Sequence, residues 1–491
     1  MTTRPLALAA SAAAVSGALW LAGSGLHPIA VATWLAPLPP LLLAPRVSAR
    51  TAGVVAAVAW LIGQAGIVGY YRGTLQFPVP AVVAVVLFGA SLFAGVVLVA
   101  RALVRSGRTA TAVLAAPSVW VLGEYGLSLL LPHGAWWSLG YTQADDRFLV
   151  QLAALTGVWG LAFVLFAVPV GVAAVFVRRR LAAAVPLALV VALATAWSAW
   201  WLATGPQPAA DSRQAARLSG QAARLSVGLV TRPQTGGSPE LDTAEGTALL
   251  RDYRIHAETL ADAGADVILM PEKIFVVTDA TIATLADAFE PLTARGVAVV
   301  VGAELHRPVG AGVRRSNVAL AFTEPGSGPA VYAKQHLIPG LEGDLTPGHR
   351  GVFVPGRTFA LAVCKDLDFP GLVRGYRGRG ATTILAPAYD FTQDGWLHSR
   401  MALVRGVESG VGIVRTARKG RLLVSDATGK RLAEATDASR GAALLADLPT
   451  TPRRTPYARA GNWFPYLCAL LLLAAAVRMA SLQDFVRARF T

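Results

Sequence analysis

A chain of 491 residues that is 54% hydrophobic and 15% charged, with a mean hydropathy of +0.51, is too apolar for a soluble enzyme of its length and long enough for two or more domains. Its formal net charge of +15 comes without the basic and aromatic interleaving of a nucleic-acid surface. Two cysteines, Cys364 and Cys468, exclude a disulfide framework, and the composition is that of a membrane protein.

Arg4 ahead of small apolar residues imitates a secretory leader, but more apolar segments follow at once, so Met1–Gly23 is expected to be a retained helix. Successive spans are expected at about 5–23, 28–45, 51–71, 79–100, 109–131, 148–177 and 181–203, with an eighth at 464–482, each near the length that crosses a bilayer. Pro117 and Glu124 interrupt the fifth. Arginines fall in alternate loops: Arg46 and Arg50, then Arg101, Arg105 and Arg108, then Arg178, Arg179 and Arg180, whereas the intervening loops carry only Arg72 and Arg147. By the positive-inside rule the amino terminus is cytoplasmic and seven spans deliver residue 204 to the outside. Arg478, Arg487 and Arg489 then close the chain in the cytoplasm. Trp197, Trp200 and Trp201 read as an outer interfacial belt, and Trp136, Trp137 and Tyr141 suit the same role. Glu124, costly in lipid, is either a functional group or a charge satisfied between helices.

The organisation expected is therefore a transmembrane domain of about seven helices over 1–203, a polar linker over 204–224, an α/β domain over 225–449, a linker over 450–463, a final span over 464–482 and a cytoplasmic tail over 483–491. Within 225–449 short apolar runs alternate with amphipathic stretches, and several runs follow one another without a helix between them, as in a mixed-sheet sandwich. Three runs end in reactive residues. Asp266–Met270 is followed by Glu272, Pro329–Ala333 by Lys334, and Phe359–Val363 by Cys364. A thiol is mostly protonated at neutral pH and needs a base or a cation nearby to act as a nucleophile. Glu272 is suited to take that proton, and Lys334 with the backbone N–H of Lys365 to stabilise an oxyanion. Taken singly, each has a structural reading: a buried cysteine, or a solvated loop charge.

Segment 225–449 resembles the carbon–nitrogen hydrolase (nitrilase) superfamily, whose Glu-Lys-Cys triad matches Glu272, Lys334 and Cys364. KQHLIPGLEGD resembles its lysine motif, in which Glu342 would support the lysine. Asp366 matches the acidic position after the nucleophile, and Trp396–Gly410 resembles the helix that follows. In the membrane part, Pro117–Gln143 and Gln151–Phe163 resemble the bacterial apolipoprotein N-acyltransferases, membrane members of that superfamily. The resemblance implies an α-β-β-α sandwich inserted between spans, on the outer side of a bacterial inner membrane. It implies an acyl chain taken from a phospholipid onto Cys364 and passed to the terminal amine of a lipid-modified lipoprotein cysteine, by a monomer, with no cofactor, metal or nucleic acid. Departures from the family are Lys365 in place of an aromatic, Lys273 after the glutamate, APAYDF at an Asn/Asp-aromatic loop, and Arg418 and Lys419 in place of two asparagines. The extra cations suit anionic headgroups or a different substrate. Leu337, Ile338, Phe391 and Trp396 are read either as exposed at a membrane-facing mouth or as loop residues packed onto the domain. A membrane-tethered amidase and a catalytically silent scaffold remain open.

Overall fold

The computed structural model describes residues 3–178, 184–204, 224–234, 236–451 and 453–490. It divides into two compact units, Met1–Trp201 with Asn462–Thr491, and Leu202–Gly461. The expected linker over 204–224, and Arg179 and Arg180, lie almost wholly outside the described residues.

The first unit is helical. Among the described residues six helices are long and apolar enough to cross a membrane, or seven if one bent pair counts as a span, against the eight expected. The difference has local causes. The expected span over 28–45 is two short helices, Ala30–Leu35 and Leu38–Leu43, and a 3-10 turn Ala44–Arg46, because Pro37, Pro39, Pro40 and Pro45 remove donors and crowd the preceding turn. The span expected over 51–71 is Ala49–Gly63 followed, across a 42° bend, by Ala65–Thr74. The span expected over 148–177 breaks at Gly157, whose φ of +70° ends the helix Leu152–Thr156 before Val158–Arg178 begins. The final helix, Trp463–Phe490, continues through the residues expected to be a tail.

Packing inside this unit is aromatic. Trp20 meets Trp60, Phe93, Trp120 and Phe166 with ring centroids 5.1–6.5 Å apart. Trp136 and Tyr141 are buried rather than placed as belt residues. Glu124 accepts from Trp120 Nε1 (2.7 Å), Ser138 Oγ (2.8 Å) and the Leu139 backbone N–H (2.7 Å), so its charge is satisfied in place and holds the turn Leu139–Gln143.

The second unit contains two sheets. A seven-stranded sheet runs in the order β12-β1-β2-β4-β5-β6 with β3 also paired to β4, and a five-stranded sheet in the order β11-β10-β9-β8-β7. The strands are β1 Arg224–Thr231, β2 Val267–Leu269, β3 Phe275–Val277, β4 Ala298–Val309, β5 Gly312–Phe322, β6 Ala330–Ala333, β7 Phe359–Leu361, β8 Thr383–Ala388, β9 Gly412–Ala417, β10 Leu422–Ser425, β11 Arg431–Ala435 and β12 Ala442–Pro449. Alternation decides which face each residue covers. Val267, Leu269, Ala298 and Val300 point into the core between the sheets, with Leu385 and Val414. Ile268, Met270, Val299 and Val301 point the other way, under Leu250, Tyr253, Leu285 and Phe289 of the helices Ala244–Asp262 and Asp279–Thr293. Helices Pro370–Gly378 and Gly395–Ser409 supply Val373, Tyr376 and Ala402 to the first core. The layers are therefore α-β-β-α. β1, β2 and β4 are mutually parallel, as are β7, β8 and β9, so their carboxyl ends share a rim on which loop residues converge.

Candidate active site

Three strand ends build the site. Beyond β2 the chain turns at Pro271 and Glu272, whose backbone N–H donates to the Ala388 carbonyl at the end of β8 (3.2 Å). Gly302 of β4 lies so close under Pro271 and Glu272 that a Cβ would collide with their backbone. Beyond β6 the Lys334 backbone is pinned to Asn317 (2.8 Å) and Gly348 (2.8 Å). The third end is tighter than the sequence suggested. β7 stops at Leu361, and Cys364 opens a 3-10 turn, Cys364–Asp368, at φ +45°. Lys273, at φ +49°, adopts the same left-handed region, so two of the three non-glycine residues with positive φ among those described flank this site. Such strain persists only where the surroundings enforce it.

The ionic core is closed. Lys334 Nζ lies 2.9 Å from Glu272 Oε1 and 2.9 Å from Glu342 Oε2. Asn317 Nδ2 donates to Glu272 Oε1 (2.5 Å) and Glu342 Oε1 (2.9 Å), and the Ile338 backbone N–H donates to Glu342 Oε2 (2.9 Å). Lys273 Nζ approaches Glu342 at 3.3 Å. Lys334 and Asn317 are fully buried. Burial alone would lower the Lys334 ammonium, but Glu272 and Glu342 overrule it and hold it well above its ordinary value. Burial likewise opposes the Glu342 carboxylate, and Lys334 and Lys273 hold it below the usual range. The Cys364 thiol is pushed well up by burial and then by the Glu272 charge, which Lys334 only partly offsets. A neutral thiol thus stands beside an ion pair, and the second oxygen of Glu272, Oε2, is buried without a hydrogen-bond partner.

Residues 16–171 match the family model of the apolipoprotein N-acyltransferase N-terminal domain. An apolipoprotein N-acyltransferase of Geobacter metallireducens is 26% identical over 513 residues, covering 95% of this chain and 94% of that one. One of Bradyrhizobium diazoefficiens is 26% identical over 421 residues, covering 76% and 74%. Over most of its length the chain is similar to apolipoprotein N-acyltransferases. Among solved structures, an amidase of Nesterenkonia sp. is similar with 24% identity and a TM-score of 0.38, covering 46% of this chain and 90% of that one.

Several residues give the site its shape without having stood out in the sequence. Asn317 is one of only two asparagines in the chain, and that rarity at the head of an apolar run was its one signal. Asp390, buried after β8, is ion-paired to Arg415 of β9, whose Nη1 lies 2.9 Å away and whose Nη2 is closer still. Neither partner carries a local cue, because strand registry alone joins them. Tyr389 presents its carbonyl 3.9 Å from Cys364 Sγ.

Asp366 proves to be a junction. Its carboxylate accepts from Tyr332 Oη (2.7 Å) and the backbone N–H groups of Val363 (3.0 Å), Gln335 (3.2 Å) and His336 (2.9 Å), with His336 Nδ1 also at 2.9 Å. It thereby ties the loop after Lys334 to the turn that carries Cys364. Lys365 is buried beside Asp368 (3.5 Å) and over the Phe369 ring. His398 lies 3.4 Å from Asp394 and 3.9 Å from Asp368; burial opposes its charge, and these carboxylates raise it to about 9. Of the two readings of the loops, exposed mouth or packing onto the domain, the structure lies between: Leu337, Ile338, Phe391 and Trp396 are each half-buried, and Trp396 is covered by Arg400 at 5.7 Å.

Because Asp366 is buried and saturated, Asp366→Ala is expected to orphan several donors at once. Each buried unmet donor costs about 1–3 kcal/mol, so thermal unfolding in detergent should show a clear loss of stability. An unchanged midpoint would show the junction to be dispensable.

Proposed function

We propose that this chain is an N-acyltransferase that moves a fatty acyl chain from a phospholipid, through a Cys364 thioester, to the terminal amine of a diacylglyceryl-modified lipoprotein cysteine. In the first half-reaction Glu272 takes the Cys364 proton as Sγ attacks the ester carbonyl. Lys334 and the Lys365 backbone N–H offset the charge on the tetrahedral oxygen. The carbon–oxygen bond breaks, the lyso-phospholipid oxygen leaves with the proton from Glu272, and the thioester remains. In the second, the amine attacks the thioester carbonyl and gives up a proton through Glu272. The carbon–sulfur bond then breaks and the thiol is restored with an amide as product. Glu342 and Asn317 hold Glu272 and Lys334 in register, and Asp366 keeps the Cys364 turn against the lysine loop. One chain supplies every group named, so a monomer suffices.

The observation that carries this reading is the buried Cys364, on its strained turn, beside the buried Glu272–Lys334–Glu342 assembly, in a chain whose other unit is a set of apolar helices and resembles the N-acyltransferase membrane domain. The arginine asymmetry supports placing residues 204–460 outside a bacterial inner membrane. It requires an odd number of crossings before residue 204, which the proline-broken segment Ala30–Arg46 and the bent pair Ala49–Thr74 both affect. A reporter or cysteine label at residue 300 should therefore report the extracytoplasmic side, and a cytoplasmic result would overturn the lipoprotein reading.

Mass spectrometry of lipoprotein amino termini from cells with and without the protein tests the reaction. The N-acyl mass should vanish with the gene. An acyl-enzyme that hydrolyses quickly with no amine present would instead favour an amidase.

A further inference from the structure

Lysine is scarce in this chain, with five residues in a Lys+Arg total of 44. Four of the five, Lys273, Lys334, Lys365 and Lys419, surround the Cys364 site. An ammonium is a compact point charge, unlike the spread guanidinium that the chain uses elsewhere.

Three of these four have carboxylate partners. Lys334 faces Glu272 and Glu342, Lys273 faces Glu342, and Lys365 faces Asp368. Asp390 is taken by Arg415. Lys419 differs: it is half-buried against the Tyr389 ring, 5.7 Å from its centroid, and no carboxylate pairs with it among the described residues. Arg418 covers the same ring at 4.7 Å. Its amino groups bond only to the carbonyls of Lys273 (3.2 Å), Gly236 (2.6 Å) and Gly237 (3.0 Å), and its Nε is buried without an acceptor. Two adjacent cations thus flank one tyrosine with no carboxylate paired to either among the described residues, and that tyrosine's carbonyl borders the nucleophilic sulfur.

The turn that carries them is fixed. β9 ends at Ala417, and the Arg418 N–H donates to the Ala388 carbonyl (2.9 Å). Gly420, at φ +91°, presses on Asp390 so closely that a Cβ would collide with its side chain. The charge at position 419 therefore has a defined location beside the acyl site. Partly desolvated, uncompensated positive charge attracts an anion and repels a cation. In a phospholipid held with an ester carbonyl at Cys364, the phosphodiester is only a glycerol backbone away.

Resting on the acyl-transfer reading, we propose that Lys419, positioned by Arg418 and Tyr389, selects an acyl donor whose headgroup is a net-anionic phosphodiester over one whose phosphate is balanced by an amine. An amine-bearing headgroup would bring its ammonium toward two cations that no carboxylate pairs with among the described residues.

The test is a competition within one membrane. The full chain is reconstituted into vesicles holding equal phosphatidylglycerol and phosphatidylethanolamine, each with acyl chains of a distinct mass, and the intact mass of the acyl-enzyme reports which donor was used. The anionic donor should dominate. Lys419→Gln should lower the anionic-to-zwitterionic ratio by about two- to fivefold, as loss of one partly screened charge pair implies. Lys419→Arg should preserve the ratio, and raising the salt should lower it in the unaltered chain. Equal use of both donors, or a Lys419→Gln enzyme slowed equally with both, would overturn the selection while leaving acyl transfer standing. No adduct from either donor would overturn both readings.

Discussion

Cys364→Ala is expected to abolish transfer of a labelled acyl chain from phospholipid to the protein, a loss on the order of 10⁴-fold or more, as for other covalent nucleophiles. Cys468→Ala, in the buried interior of the last helix, should label normally. The contrast is informative because the chain has only these two thiols. The substitution is also clean: alanine at φ +45° is no more strained than the cysteine it replaces, so the fold should survive and only the thioester be lost. Labelling that persists in Cys364→Ala would remove the covalent mechanism.

Lys334→Met and Glu272→Gln should both block acylation but differ in stability. Lys334 is the only ammonium within ion-pair distance of Glu272 among the described residues, and it also binds Glu342. Removing it leaves two buried carboxylates around Asn317, and breaking a buried pair in this way costs about 3–5 kcal/mol. Glu272→Gln keeps the shape, lets Lys334 remain paired with Glu342, and removes only the base, which should slow acylation by roughly 10²–10⁴-fold. Thermal unfolding beside acyl labelling separates the two. Equal destabilisation by both changes would show that Glu272 acts mainly as an anchor for the lysine, and near-normal labelling in Glu272→Gln would move the base role to Glu342.

Sequence legibility differed between the two units for a physical reason. In the α/β unit, Glu272, Lys334 and Cys364 were visible because each follows a short apolar run, and a buried strand must end before a charge can be solvated or paired. Glu342 and Asp366 were visible only through motif resemblance. In the membrane unit, hydropathy located the apolar mass but not its continuity. Pro39 and Pro40 within the second segment and Gly157 within the sixth break helices that length alone would join, since average apolarity does not register a missing N–H or a left-handed φ.

The amino-acid sequence by itself determined that this is a membrane protein with an inserted α/β unit, and roughly where its strands lie, because burial of apolar runs and the two-residue period of a strand are local properties. Only the tertiary structure decided what those residues meet. Asn317 bridges Glu272 and Glu342, which lie 45 and 25 positions away in the chain, Arg415 finds Asp390 across neighbouring strands, and Asp366 gathers donors from two loops. Hydrogen bonds and ion pairs act over a few ångströms with strict direction, so their partners are fixed by strand registry and layer packing, which no local stretch of sequence encodes.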